Sequence, residues 1–428
     1  MTSALTDSAT ERSRVQRRIL GSLAVTQVLG GISLAVGATV GALLAEDISG
    51  SATWAGLGGS FQVLGSALIA IPIARLTAAY GRRRGLTFGY AVAIIGALGM
   101  IAAGVVRNFP LLLIAATLFG GATASNSQTR YAAADLALPH RRARDLSIVV
   151  WATTIGSTLG PNLVGPAKAF AAFLGIPLLT GSFAISVVGL VLAIAALLIL
   201  VRPDPLLESR RLAALDAGQN SAEAAASAPA DGSVWNGLRV ILARPVARLG
   251  LLALAVGHSV MVSVMVMTPL HMAHGHAELS IIGFVISMHI LGMFAFAPLT
   301  GLAVDRFGGR AVAVVGSMIL TTATLLASVS PIGHSSTLLI GLFLLGLGWS
   351  CTFVAGSALL TGALTPQERP AAQGAADVIT GLAAAISGFL GGIIVAHLSF
   401  HALSLTSLGF ALVIGIAAAF TPVDRDQG

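Results

Sequence analysis

The chain has 428 residues, of which 56% are hydrophobic and only 10% are charged, whereas soluble globular proteins contain about 25% charged residues. So few charges cannot cover a water-exposed surface, which excludes a water-soluble enzyme. The formal net charge is +7, but the arginines stand in short clusters between apolar runs, a distribution typical of cytoplasmic loops and not of nucleic-acid binding. The only lysine, Lys168, lies outside any G-x-x-x-x-G-K-[ST] motif, so a phosphate-binding loop for ATP-driven pumping is excluded.

Apolar runs of about twenty residues recur along the whole chain, and each is long enough to cross a hydrocarbon layer of about 30 Å as a helix. The first run follows a polar, arginine-bearing start and is about 27 residues long, which is too long for a cleaved signal peptide. The sequence therefore predicts an all-α polytopic membrane protein with twelve spans. The predicted spans are 19–45, 52–76, 86–106, 110–135, 146–173, 178–201, 247–273, 279–304, 311–330, 336–363, 372–396 and 401–421.

Clusters of arginine set the predicted orientation, because cytoplasmic loops carry the excess of basic residues. They stand in the N-terminal segment, in two loops of the first half and in the middle of the chain, so both termini are predicted to be cytoplasmic. The centre of the middle segment (AGQNSAEAAASAPADGS) has few bulky apolar residues, which predicts a flexible linker. The predicted domains are a cytoplasmic N-terminus (1–18), an N-terminal six-helix half (19–202), a cytoplasmic linker (203–245), a C-terminal six-helix half (246–421) and a cytoplasmic tail (422–428).

The two halves are pseudo-symmetric, since a shift of 227 residues aligns several positions without a gap. The matched pairs are Gly81 with Gly308, Pro139 with Pro366, Arg142 with Arg369 and Gln62 with His289. A duplicated six-helix unit joined by a cytoplasmic linker resembles the major facilitator superfamily, and the resemblance covers essentially the whole chain. It implies a monomeric secondary transporter of a bacterial inner membrane, which binds a small molecule or a metal ion near the midplane and works by alternating access.

A loop motif supports this resemblance. The superfamily has the signature G-x-L-A-D-R-x-G-R-[RK] after its second and eighth helices, and the second copy here, Gly301 to Arg310, matches it well. The first copy keeps the glycine and the basic residues but has Ala78 in place of the aspartate. Glycine permits a tight turn, and the acid can pair with a neighbouring helix N-terminus, so the motif predicts a conformational latch. The predicted latch residues are Gly81, Arg82, Gly301, Asp305, Arg306 and Gly308.

An alternative interpretation of the loop motif is that its arginines only follow the positive-inside rule.

In the fifth predicted span, Gly156, Gly160, Pro161 and Gly165 resemble the G-x-x-x-G-P-x-x-G-G signature of the drug/proton antiporter branch. Small residues four apart allow two helices to approach closely, and the proline allows the helix to bend. The spacing predicts a packing device, and the resemblance to the antiporter branch implies proton-coupled export.

Methionine and histidine are concentrated between His258 and Met293, where the chain has six of its nine methionines and five of its nine histidines. On the seventh predicted span one helix face carries His258, Met261, Met265 and Met272. On the eighth, His289 and Met293 are four residues apart and also share a face. Thioether sulfur and imidazole suit Cu(I), so copper is the leading metal if these residues bind one.

The pairs Met261-x-x-x-Met265 and His289-x-x-x-Met293 resemble those of CcoA-like copper importers of the superfamily. The resemblance implies copper-binding roles for these four residues, with copper as a transported substrate; no cofactor is expected. It also leaves open a flavin vitamin as the substrate, which relatives of those importers carry. In the third interpretation these methionines bind no ligand and only pack between helices, because methionine adapts its shape to irregular helix contacts.

Ionisable groups inside predicted spans are functional candidates because a charge at the centre of a membrane costs about 2.5–3.5 kcal/mol on insertion scales. Arg130 is expected to face a cavity, where it meets an anionic substrate or an acid on another helix. Asp377 is the leading candidate for proton coupling, and Asp135 near a helix end is the second; solvation of Asp377 at a helix end is the competing interpretation. Gln62, Arg130, His258 and His289 are the candidate substrate-binding residues.

The sequence thus predicts a secondary transporter, with no enzymatic activity, and three substrate hypotheses. Copper uptake through Met261, Met265, His289 and Met293 leads. Proton-coupled efflux of amphipathic drugs and uptake of a riboflavin-like vitamin are the alternatives. A non-transporting membrane sensor is disfavoured because the linker is too short and too low in complexity to be an output domain.

Overall fold

The computed structural model describes residues 2–50, 54, 57–216, 233–333 and 335–421, and none of these residues is in a β-strand. Two single-turn 3-10 helices, Pro139–Arg141 and Leu178–Thr180, accompany the α-helices. The α-helices are, in chain order, α1 (Thr2–Ser49), α2 (Leu57–Tyr80), α3 (Arg82–Val106), α4 (Phe109–Asp135), α5 (Arg142–Asn162), α6 (Val164–Leu174), α7 (Gly181–Leu200), α8 (Pro205–Asp216), α9 (Val234–Ala243), α10 (Pro245–His274), α11 (Leu279–Phe294), α12 (Ala297–Phe307), α13 (Gly309–Ser328), α14 (Ser336–Gly362), α15 (Arg369–His397) and α16 (Phe400–Phe420).

Eleven helical stretches of the described residues are long and apolar enough to cross a membrane. The predicted all-α architecture with about twelve transmembrane helices is therefore confirmed, but two of the predicted spans are interrupted. The fifth, 146–173, is interrupted at Leu163 and forms α5 and α6. Pro161 and Pro166, which lack a backbone N–H, flank the interruption. The eighth span is likewise interrupted at 295–296, between α11 and α12.

The ends of the predicted linker are helical. The segment 203–245 contains α8 and α9, while its centre, 217–232, lies outside the described residues. At the N-terminus, α1 begins at Thr2, so residues 2–18 are continuous with the first membrane helix. The predicted tail, 422–428, also lies outside the described residues.

The chain forms two compact units, each assembled from separate parts of the sequence. Unit 1 contains Met1–Ala137, Ala152–Leu238 and Thr365–Val378, so the first part of α15 belongs with helices from the first half of the sequence. In unit 1, α4 packs against α2 and α3, and α7 packs against α1 and α3.

Unit 2 contains Leu138–Trp151, Arg239–Leu364 and Ile379–Gly428. Here α14 packs against α10, α11 and α13, and α13 also packs against α16. The core of unit 2 is aliphatic with buried methionines, and Trp349 on α14 belongs to it. Both units thus bury small and apolar side chains between closely packed helices.

Candidate functional site

The polar interior of unit 1 is concentrated on α4. Its buried polar residues are Ser125, Asn126, Gln128, Thr129, Arg130 and Asp135. Polar groups on a membrane helix are costly against lipid and are placed where protein groups satisfy them. The hydroxyl of Tyr90 donates to Asn126 Oδ1, and Ser125 Oγ donates to the carbonyl of Leu86 at 3.1 Å. These bonds fix the polar face of α4 against α3.

Arg130 and Asp377 form a buried ion pair. Arg130 NH2 lies 2.8 Å from Asp377 Oδ1, and the two side chains are 4% and 10% exposed. Gln128 Nε2 donates to the other carboxylate oxygen at 2.7 Å. Arg130 also donates to the hydroxyl of Tyr131 at 2.9 Å and to Ser127 Oγ at 2.6 Å. The structure therefore places Arg130 opposite an acid on another helix, and the carboxylate of Asp377 is paired instead of solvated.

Arg82 is the hub of a second buried charge cluster and is fully buried. Its Nε donates to Asp135 Oδ2 at 2.7 Å, its NH1 donates to Gln128 Oε1 at 3.2 Å, and its NH2 donates to Gln373 Oε1. Arg369 NH1 lies 3.4 Å from the other oxygen of Asp135. Arg82 is thus an internal structural charge, and the positive-inside rule alone does not account for it.

Gln128 joins the two clusters, because its amide oxygen accepts from Arg82 and its amide nitrogen donates to Asp377. The result is one buried chain of hydrogen bonds that contains three arginines and two aspartates. Sequence reasoning missed Arg369 and Gln373 as members. The signal was present, since Arg369, Gln373 and Asp377 are spaced by four and share one face of α15.

The second copy of the loop motif caps a helix in unit 2. The carboxylate of Asp305 accepts hydrogen bonds from the backbone N–H groups of Ala143, at 2.9 Å, and Arg144, at 2.8 Å. These groups belong to the first turn of α5, which has no internal partners for them. Gly301 lies against the same turn, where a Cβ would overlap the side chain of Ser147. Arg306 is exposed, with its guanidinium 5.5 Å from the ring centroid of Phe307.

The first copy of the motif has a different partner. Gly81 adopts φ +89°, a conformation that L side chains rarely adopt, and Asp204 from the segment before α8 lies directly against it. The Oδ2 atom of Asp204 accepts from the backbone N–H of Arg83 at 2.8 Å. An acid is therefore present beside this turn, although it is supplied from outside the motif, which sequence reasoning did not predict.

His289 on α11 has a fixed tautomer and one unpaired nitrogen. Its Nδ1 lies 2.8 Å from the carbonyl oxygen of Leu342, and since a carbonyl only accepts, Nδ1 bears the proton. The Nε2 atom is buried and has no hydrogen-bond partner among the described residues. Met261 and Met293 are buried in the core of unit 2, and Met265 packs against that core partly exposed.

An aromatic cluster lies on α14 in the same unit. Trp349 Nε1 donates to His258 Nδ1 at 2.8 Å. The indole stacks on Phe353 with a centroid distance of 4.4 Å, and Phe294 meets it edge-on at 5.5 Å. His258 is thus oriented by Trp349, which sequence reasoning did not identify. The cluster offers planar faces for stacking against an aromatic ligand.

Most of the remaining predicted site residues pack against other helices, and one has open space around it. Gln62 Nε2 donates to Thr123 Oγ1 at 3.4 Å, so it contacts α4. A Cβ at Gly156 would lie 2.7 Å from the backbone carbon of Gly31, and one at Gly160 would overlap Ala35, so both glycines allow close contact with α1. Gly165 has open space around it. Pro161 lies in the last turn of α5.

Across the described ranges, no group of three or more histidine, cysteine, aspartate or glutamate side chains is arranged to hold a metal ion. Thioether sulfurs are a different class of ligand, and His289 is the histidine that lies nearest in sequence to Met293. Met261, Met265 and Met293 lie in or against the core of unit 2, so a metal site there would need thioether sulfur among its ligands.

Comparison with known proteins decides the family. The profile described as "Major Facilitator Superfamily" matches residues 23–282 and, in a second match, residues 251–428. The chain belongs to this superfamily. A relative from Bacillus subtilis (strain 168), the uncharacterized MFS-type transporter YddS, is 35% identical over 408 residues, which is 95% of this chain and 92% of the relative.

Two further comparisons concern a relative and a solved structure. The riboflavin transporter RfnT of Brucella anthropi is 31% identical over 397 residues, covering 88% of this chain and 89% of the relative. The proton:xylose symporter XylE superimposes with a TM-score of 0.74 over 96% of this chain and 97% of that chain, at 15% identity, which is a likeness of fold. The protein is therefore a multi-pass membrane transporter of a small solute, as its superfamily members are.

Proposed function

We propose that this protein takes up a flavin-like vitamin, an aromatic heterocycle with polar edges, across the bacterial plasma membrane by alternating access. The observation that supports this most strongly is the similarity to the riboflavin transporter RfnT along nearly the whole of both chains. Residues that suit such a ligand lie in unit 2.

The unpaired nitrogen of His289 suits the polar edge of a flavin. With Nδ1 donating to Leu342, Nε2 is an acceptor that lacks a donor in this conformation. A buried polar atom without a partner costs about 1–3 kcal/mol, so a ligand N–H that reaches it gains this energy. The imide N–H of a flavin ring is such a donor. The ligand reaches Nε2 only when the surrounding side chains move, because the atom is buried here.

The ring cluster around Trp349 suits the apolar face of a flavin. Phe294 and Phe353 are both partly exposed beside the buried indole. Aromatic pairs contribute about 0.5–1.5 kcal/mol beyond the area they bury. Stacking on one face and a hydrogen bond at one edge together favour a planar heterocycle over a sugar or a simple ion.

Uptake of radiolabelled riboflavin by a riboflavin auxotroph that expresses the protein tests this proposal. We expect accumulation above that of the empty vector, and a KM about tenfold higher for His289→Ala, because a buried acceptor is lost. His397→Ala is the matched control, since His397 is exposed at the end of α15. Absence of uptake, with the protein present in the membrane, would reject a flavin substrate.

Copper uptake is the second candidate, and one observation favours it. A neutral imidazole with Nδ1 bonded to a carbonyl presents Nε2 for metal binding, and the thioethers of Met261 and Met293 are buried in the core of the same unit. The double substitution Met261→Leu/Met293→Leu keeps the volume and removes both sulfurs. It is expected to abolish copper accumulation if copper is the substrate, and to leave riboflavin uptake unchanged.

For energy coupling we propose that Asp377 is the proton-binding group and that Arg130 is its counter-ion. The two are paired inside unit 1, and Gln128 holds the second carboxylate oxygen. Protonation of Asp377 removes the charge that Arg130 neutralises, so proton binding and the arrangement of α4 and α15 are linked. Asp135 is less suited to this role because Arg82 and Arg369 both contact it.

Drug efflux remains a prediction from the Gly156 signature, and the drug susceptibility of a deletion strain tests it.

A further inference from the structure

The linker helix α8 lies where the first loop motif has lost its aspartate. Ala78 stands at the motif position that Asp305 has in the second copy. Arg210 on α8 donates from NH1 to the carbonyl oxygen of Ala78 at 2.8 Å, and its Nε donates to the carbonyl oxygen of Pro366 at 3.4 Å. One guanidinium therefore joins the end of α2 to the loop before α15, all within unit 1.

Asp204 fixes the same helix from its other side. Its Oδ2 atom accepts from the backbone N–H of Arg83 in the first turn of α3, and its Oδ1 atom accepts from those of Leu206 at 3.1 Å and Leu207 at 3.2 Å. The carboxylate thus caps α3 and α8 together. Since Asp204 also lies against Gly81, the start of α8 has a defined place beside the motif.

We propose that Asp204 and Arg210 are positioning residues of the transport cycle. They hold helix ends in the first half through main-chain hydrogen bonds, as Asp305 does in the second half. They hold the end of α2, the start of α3 and the loop before α15 together at the predicted cytoplasmic end. These bonds break when that end opens, so the linker helix limits how often it opens. The proposal rests on transport by alternating access, without depending on which solute is carried.

The chemistry of the two copies supports this equivalence. In unit 2 a carboxylate inside the motif accepts from helix N–H groups. In unit 1 no side chain at position 78 can do so, and Arg210 instead donates to two main-chain carbonyls. Hydrogen bonds that involve a charged group are about twice as strong as neutral ones. Arg211, the next residue, is 61% exposed and pairs with Glu208 on the same helix, so it takes no part in this contact.

Cysteine labelling tests the proposal without any substrate. The chain has one cysteine, Cys351, so Cys351→Ser gives a background for a single probe at Ala376→Cys. Ala376 is fully buried in the part of α15 that belongs to unit 1. In inside-out vesicles with a hydrophilic maleimide, we expect Arg210→Gln to raise the labelling rate about tenfold. Arg211→Gln, the matched control, is expected to stay within about twofold of the parent.

A rescue experiment tests whether Arg210 replaces the motif acid. Restoring the family residue with Ala78→Asp in the Arg210→Gln background is expected to return the labelling rate toward the parent, and Arg210→Lys is expected to lie between parent and Arg210→Gln. Equal labelling of Arg210→Gln and parent would overturn the proposal, as would a folded double variant without rescue. If riboflavin and copper uptake both fail while labelling behaves as expected, the substrate assignment is wrong and the positioning role stands.

Discussion

Arg82 and Asp135 form an ion pair with no solvent exposure on either side chain, in which Nε lies 2.7 Å from Oδ2. Removing one partner of such a pair leaves a buried charge without compensation, which costs about 3–5 kcal/mol. We expect Asp135→Asn to lower the free energy of unfolding by this order, because Arg82 and Arg369 both lose their carboxylate. Thermal unfolding of the purified protein in detergent measures the change.

The exposed pair of Arg107 and Asp47 is the control for this prediction. Its side chains are 60% and 50% exposed, and such pairs contribute at most about 1 kcal/mol. Arg107→Gln is therefore expected to leave the unfolding temperature nearly unchanged. A similar loss in both variants would contradict the structural role of the buried pair.

Substitution of Asp377 separates energy coupling from substrate movement. Asp377→Asn keeps the shape and one of the two acceptor oxygens but binds no proton, so we expect uptake against a gradient to be lost while substrate exchange across the membrane continues. Counterflow in vesicles, compared with uptake driven by an imposed pH gradient, makes this measurement. Asp47→Asn is the control at an exposed carboxylate. Loss of both activities, with the protein folded, would place Asp377 in substrate binding instead.

The two motif glycines make a matched pair for measuring backbone strain. Gly81 and Gly308 have φ of +89° and +85°, but only at Gly81 does Asp204 fill the space that a Cβ would take. Such conformations cost other residues about 1–3 kcal/mol. We expect Gly308→Ala to lose that amount in unfolding free energy and Gly81→Ala to lose more. The double variant Gly81→Ala/Asp204→Ala is expected to lose less unfolding free energy than the sum of the two single variants, because Asp204→Ala removes the side chain that the new Cβ would meet. Strict additivity of the two losses would contradict this contact.

Gly156 and Gly165 test whether the antiporter-like signature is a packing device. A side chain at Gly156 would meet the backbone of Gly31, whereas Gly165 has open space. Overpacking costs about 1–3 kcal/mol, so Gly156→Ala is expected to lower stability, and Gly165→Ala is expected to change it by less than about 1 kcal/mol. Thermal unfolding compares the two, and an equal effect would argue against close packing of α5 on α1.

Much of the fold follows from the sequence, because a membrane helix is specified by length and apolarity alone. The interruption at Leu163 was harder to predict from the sequence, since a proline inside an apolar run can either bend a helix or end it. The polar network was predicted only in part. Arg130 was expected to meet an anionic substrate or an acid on another helix, but hydropathy does not tell which acid, and only the fold brings Asp377 to it.

Burial of Arg82 was beyond sequence reasoning for a related reason. An arginine in a basic loop has the signature of a cytoplasmic cluster, and the carboxylate that draws it inside is 53 positions away on another helix. Asp204 is a similar case, because a replacement for a missing motif acid can come from any neighbouring segment. Local spacing identifies which motif is incomplete, and packing identifies what completes it.

The buried network of unit 1 has an electrical consequence. It places three guanidiniums and two carboxylates on helices that are long and apolar enough to cross a membrane. A unit charge that crosses the whole membrane field gains or loses about 2.3 kcal/mol per 100 mV. Any rearrangement that shifts these side chains along the bilayer normal therefore makes the turnover rate depend on voltage, even for an uncharged solute.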